Sequence, residues 1–182
     1  MRATRTVLRW ACILGALSGR ALAAPSVGAP APRLVVETLD GNRFNLSALH
    51  GKVVLVNFWA TWCPPCREEM SALDRVYSRH HPEGVELLGL SADRKRDRKE
   101  VLAMANAVHY PVAFATEAAE NGFGTPSVLP VTYLIDAEGN LRTVFLPTSK
   151  LTEEALEAAV MPLLPNSTST EPGPTTQGEP HE

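Results

Sequence analysis

Two cysteines separated by two residues, Cys63 and Cys66, are the side chains of this chain best suited to chemistry. They stand between an apolar run, Val53-Val54-Leu55-Val56-Asn57-Phe58, and a charged periodic segment that begins Arg67-Glu68-Glu69. The first reads as a buried strand and the second as a helix. A thiol at the start of a helix faces unpaired backbone N–H groups and the positive end of the helix dipole, and both favour the thiolate. A second thiol one turn further in can close a ring with the first. A Cys-x-x-Cys pair at a strand-to-helix junction therefore predicts dithiol/disulfide chemistry.

Composition narrows the setting. The chain has 182 residues and three cysteines, two of them in this pair, so it is no disulfide-stapled scaffold. A hydrophobic content of 45% and a charged content of 20% are those of an ordinary globular protein. The N-terminus has the layout of an export signal. Arg2, Arg5 and Arg9 form a basic head, Trp10 to Gly19 is uncharged and largely apolar, and Ala21-Leu22-Ala23 supplies small residues for cleavage. That run of ten residues is well short of the ~20 needed to span a bilayer, so a cleaved signal over 1–23 is favoured over a membrane anchor. Cys12 lies inside it and reads as a small hydrophobe. Removing the four arginines of this segment from a formal net charge of −3 leaves −7. An acidic mature chain gives no reason to expect nucleic acid or an anionic membrane as a partner. In an exported, oxidising compartment such as the periplasm, the pair would sit oxidised unless a dedicated donor reduced it.

The elements that must position the pair follow in order. Residues 24–33, rich in Pro and Ala, read as a linker. Leu34 to Glu37 and Arg43 to Leu46 flank the turn Asp40-Gly41-Asn42 as a hairpin. Ser47 is the expected cap of a short turn through Leu49. Val53 to Ala60 lacks period-two alternation, the pattern of a strand covered on both faces. Pro64 and Pro65 suit the first turn of a helix running to about Arg79, with Met70, Leu73, Val76 and Tyr77 as its buried stripe. Val85 to Ser91 is the next strand, and Asp93 to Arg98 reads as a solvated charged loop or helix start. A second helix is expected over Glu100 to Val108 and a short strand over Val112 to Ala115. A proline-led strand follows from Leu129 to Asp136, then a turn, a partner strand from Leu141 to Leu146, and a helix from Thr152 to Leu164 capped by Thr152. The Pro/Ser/Thr-rich stretch 165–182 has no apolar period and reads as a disordered tail. The order predicts an α/β domain over 34–164, with one central mixed sheet carrying helices on both faces.

The stretches VNFWATWCPPCREEM and LPVTYLIDAEGNL carry a family resemblance. Over roughly Ala31 to Leu164 the chain resembles the TlpA/ResA-like group of exported thioredoxin-fold thiol-disulfide oxidoreductases, which includes the CcmG-type reductases of cytochrome c maturation. The resemblance implies a thioredoxin-like fold with an N-terminal β-hairpin and a βα insertion, and no cofactor or metal. It implies Cys63 as a partly exposed attacking thiol, Cys66 as the buried resolving thiol, and Pro130 as a cis-proline facing the disulfide. Leu129 would offer backbone to a bound chain, and Trp62 and Pro64 would contact the partner. Glu69 matches a glutamate that can shuttle a proton, although a surface helix glutamate is an equal reading; Glu68 would face solvent. Asn57 stands where cytoplasmic thioredoxins carry a buried Asp, and Ser71 where relatives often have Pro. The implied partners are protein thiols and disulfides, apocytochrome c among them, and a membrane-embedded electron donor; the implied state is a monomer.

Two other chemistries use similar residues. A thiol peroxidase wants Pro-x-x-x-Thr-x-x-Cys, but Thr61 lies two residues before Cys63 and Val56 stands where the proline should be. A metal-delivery or copper-site assembly protein could use the two thiolates, but His50, His80, His81, His109 and His181 show no ligand spacing and read as surface residues.

Overall fold

The computed structural model describes residues 25–148 and 150–165. The expected export signal and nearly all of the expected tail lie outside the described residues. In chain order the strands and helices are β1 (Leu34–Glu37), β2 (Arg43–Asn45), β3 (Val53–Trp59), α1 (Pro64–His80), β4 (Val85–Ser91), α2 (Arg98–Ala105), β5 (Val112–Phe114), β6 (Glu120–Asn121), β7 (Val131–Ile135), β8 (Leu141–Phe145) and α3 (Glu153–Val160). None of the described helices is long and apolar enough to cross a membrane.

A five-stranded mixed sheet of order β5-β4-β3-β7-β8 forms the centre. Its middle strand, β3, is buried at every position because both its faces are covered, which explains the unbroken apolar run. It pairs in parallel with β4 and antiparallel with β7. The register brings three chain ends to one edge of the sheet: Trp59 pairs with Ser91, and Phe58 with Val131. The ends of β3 and β4 and the start of β7 therefore converge, and the cysteine pair follows directly from β3.

The helices flank the sheet on one face rather than two. Leu73 and Val76 of α1, Val101 of α2, and Leu156 and Val160 of α3 share a single apolar cluster with Leu55 and Leu87. The reason is chirality. The crossovers β3-α1-β4 and β4-α2-β5 step the same way across the sheet, and right-handed crossovers then place both helices on the same side. The opposite face is covered by the hairpin β1-β2, widened to three strands by β6. Leu34, Val36 and Phe44 pack there against Val54, Val56 and Phe58. Phe58 meets Tyr133 edge to face at 5.9 Å.

Other local expectations need correction. Part of the expected linker is tied to the domain: the Gly28 and Ala31 amides donate to the Leu141 and Gly139 carbonyls, and the Leu141 amide donates back to the Ala29 carbonyl. The short turn after β2 is capped by Asn45, whose side chain accepts from the Ser47 amide at 3.2 Å, and not by Ser47 itself. Helix α2 starts two residues before the expected Glu100 and stops three before Val108. His80 is buried rather than a surface residue, because it lies on the side of α1 facing α3, between Glu83 and Glu157. By contrast, α1 buries the expected Met70, Leu73, Val76 and Tyr77, and Thr152 caps α3 through the Ala155 amide. Gly89 of β4 is required by close approach: a methyl there would sit 3.0 Å from Tyr110 Cε2 and 3.1 Å from Trp59 Nε1.

Candidate active site

Strand β3 ends at Trp59, and the chain turns over Ala60-Thr61-Trp62-Cys63, closed by a hydrogen bond from the Cys63 amide to the Ala60 carbonyl at 3.1 Å. This turn delivers Cys63 to the N-cap of α1 in extended conformation. Pro64 and Pro65 follow and have no N–H to give. The first amide the helix can offer is that of Cys66, and it donates to Cys63 Sγ at 3.3 Å. Both prolines thus leave the only N-terminal donor of this turn aimed at the sulfur, and no acidic residue stands in the first turn to oppose a thiolate.

Cys63 and Cys66 form a disulfide, with Cα atoms 5.3 Å apart. Cys66 is fully buried and Cys63 retains 5% of its surface, so Cys63 is more enclosed than the expected partly exposed thiol. Of the two, Cys63 keeps the larger exposed surface. Trp62, one residue earlier, is 66% exposed, and Pro64 and Pro65 are exposed beside it.

Glu69 lies one helical turn after Cys66, on the same side of α1. It is buried, which removes the surface-glutamate reading, while Glu68 stays exposed near Lys150 as expected. Asn57 explains how the carboxyl is held. Its Nδ2 donates to Glu69 Oε1 at 2.8 Å and to Thr132 Oγ1 at 2.9 Å. Asn57 and Thr132 are direct neighbours across β3 and β7, so the sheet register builds this network. Burial raises the Glu69 pKa from 4.5 to about 7, against the opposing pull of the Asn57 hydrogen bond. The Asn57 amide donates to the carboxyl oxygen and so favours the ionised form that burial disfavours.

The Leu129–Pro130 peptide bond is cis, as the resemblance implied. Pro130 leads into β7 at the sheet edge where β3 ends, and half-buried Leu129 touches both apolar clusters. Pro130 and Glu69, 61 positions apart, line one cleft of about 200 Å³ with Pro65 and Leu151. The structure therefore brings Cys63, Cys66, Glu69 and Pro130 to one end of the sheet, with Trp62 and Pro64 on its open side.

One side chain was missed. Asp93, read as part of a solvated charged loop, is 1% exposed. Its carboxylate accepts from the Thr61 amide at 2.9 Å, the Thr61 hydroxyl at 2.7 Å and the Ser91 hydroxyl at 2.8 Å. The available signal was its place two residues after the mostly apolar run Val85 to Ser91, where the chain leaves a buried strand.

This fold and this pair define a class, the thioredoxin-like thiol-disulfide oxidoreductases. Residues 27–144 match the model of the AhpC/TSA family, and the chain belongs to that family. A curated relative, the thiol-disulfide oxidoreductase ResA of Bacillus cereus, is 33% identical over 141 residues, covering 76% of this chain and 79% of its own. Among solved structures, a thiol:disulfide interchange protein of the thioredoxin family from Chlorobium tepidum is 27% identical with a TM-score of 0.63, over 77% of this chain and 99% of that one. A secreted thiol-disulfide isomerase from Corynebacterium glutamicum is also 27% identical, with a TM-score of 0.59 over 72% and 83%.

Proposed function

We propose that this chain exchanges disulfides with other proteins outside the cytoplasm, as a reductase of the cytochrome c maturation type. The observation that carries the reading is the convergence of Cys63, Cys66, Glu69 and the cis Pro130 at one sheet edge. The Cys63 thiolate attacks one sulfur of the partner's disulfide. A Cys63–partner bond forms, the partner's own bond breaks, and its second sulfur leaves as a thiolate that takes a proton from water. Cys66 then gives its proton to the Glu69 carboxylate and attacks Cys63 Sγ. The Cys63–Cys66 bond forms, and the partner's first sulfur leaves as a thiolate. The partner gains two electrons and the pair ends oxidised. No cofactor is needed, because the electrons reside in the pair; a membrane-embedded donor returns them. Trp62, Pro64 and the Leu129–Pro130 backbone meet the partner chain, and one copy suffices because one chain supplies every group.

The basic, apolar and small-residue order of the N-terminus supports export to the periplasm, as does the secreted relative. The resemblance to CcmG-type reductases supports apocytochrome c as partner, whose attachment motif is C-x-x-C-H. Peroxidase chemistry gains no support from family membership, since Val56 and the position of Thr61 break the required motif and the Thr61 hydroxyl is bound to Asp93.

The test is to mix reduced protein with an oxidised C-x-x-C-H peptide and count thiols on both. The peptide is expected to become reduced as Cys63 and Cys66 close. A peptide that stays oxidised while insulin is reduced would remove the cytochrome reading and leave the exchange class. Oxidation of the reduced peptide by the oxidised protein would reverse the assigned direction.

A further inference from the structure

We propose that Asp93 is a positioning residue for the attacking thiol, acting through Thr61 on the turn that presents Cys63. The turn Ala60-Thr61-Trp62-Cys63 has Thr61 at its second position and Cys63 at its fourth, closed by the Cys63 amide on the Ala60 carbonyl. Asp93 holds that second position twice, through the Thr61 backbone amide and the Thr61 hydroxyl, one on each carboxylate oxygen. Two bonds from one rigid group set both the position and the rotation of a residue. The residue two places on is the N-cap, whose sulfur must face the Cys66 amide.

Asp93 is itself held rigid. The Ser91 hydroxyl donates to Oδ2 and in turn accepts from the Asp93 amide at 3.0 Å. The Ala92 amide donates to the Trp59 carbonyl at 2.8 Å, so the chain leaving β4 is stitched to the chain leaving β3 along its length. Asp93 forms no ion pair among the described residues, so its charge is compensated by those three donors alone. A buried carboxylate satisfied by dipoles is costly to leave short of a donor. Two of its three donors come from the active-site turn, and none comes from a helix. That distribution ties the clamp to the presentation of Cys63 and Trp62 more than to the packing of the domain.

The inference rests on Cys63 being the attacking thiol, and its test separates the two. The reduced full-length protein is titrated with iodoacetamide over pH, and alkylation of Cys63 and Cys66 is followed by peptide mass. Thr61→Val removes the hydroxyl donor and keeps the charge. The loosened turn moves Sγ away from the Cys66 amide, which disfavours the thiolate. The Cys63 alkylation profile is expected to shift to higher pH, with exchange slowed about tenfold, the effect of one charge-assisted hydrogen bond. Thr61→Ser is expected to return the profile. Asp93→Asn in the Thr61→Val background is expected to add much less than in the wild type, because both changes break the same clamp. An unshifted Cys63 profile in Thr61→Val would overturn the proposal, including the case where unfolding shows lost stability. Additive effects in the double variant would overturn it too. Alkylation of Cys66 before Cys63 in the wild type would instead remove the underlying assignment of the nucleophile.

Discussion

Cys66→Ala is expected to accumulate a covalent adduct between Cys63 and a partner protein, and Cys63→Ser to show no exchange above background. The asymmetry follows from exposure and sequence of events. Cys66 has no exposed surface and Cys63 is the only residue of the pair with any, so first attack falls to Cys63. The bond from the Cys66 amide to Cys63 Sγ favours the Cys63 thiolate and gives Cys66 no comparable donor. Without Cys66 the mixed disulfide has nothing beside it to resolve it, and it should persist through non-reducing electrophoresis until dithiothreitol is added. Without Cys63 the remaining thiol is shut inside the domain. If Cys66→Ala yielded no adducts while Cys63→Ala did, the assigned roles would be reversed.

Glu69→Gln is expected to change two pH profiles together. Glu69 takes the Cys66 proton only when ionised, and burial places its ionisation near pH 7. Resolution of a mixed disulfide should therefore accelerate as pH rises through about 7. Glu69→Gln should lose that rise and resolve about 10²-fold more slowly above it, the scale of one general base. The second profile is stability of the oxidised protein. The folded state holds the Glu69 proton up to about pH 7, whereas the unfolded chain releases it near 4.5. Between those values the folded state binds more protons, so stability falls as pH rises and levels off above about 7. The fall amounts to something on the order of 3 kcal/mol, and Glu69→Gln should flatten it. Denaturant melts at pH 4.5, 6 and 8 measure it. A variant whose resolution rate keeps its rise near pH 7 would show that another group supplies the base.

The parts of the fold legible in the sequence were those set by local rules. Pro64 and Pro65 after Cys63 marked a helix start because proline suits a first turn. The helix ends at His80, one residue past the expected Arg79. Apolar run length outlined β3 and β4. What stayed illegible depended on distant partners. Strand β6 is two polar residues, Glu120 and Asn121, with no period to betray it, and only its pairing to β1 makes it a strand. The placement of helices on one face is a property of crossover direction, which no single segment carries. Glu69 could not be assigned to core or surface from helix position alone. Its burial depends on Asn57 and Thr132, which β-sheet register brings beneath it. Asp93 looked solvated because charged residues follow it in sequence, while two of its three donors lie 32 residues back in the active-site turn.

The proposed function requires Cys63 and Cys66 to form a reversible two-electron pair. Its most direct test equilibrates the protein against graded dithiothreitol or glutathione couples, quenches with a thiol alkylator and counts labelled Cys63 and Cys66 by mass. The two cysteines are expected to become labelled together, in one transition that follows the couple from both the oxidised and the reduced side. A pair that stays closed across the whole range, or cysteines that label in separate steps, would contradict it.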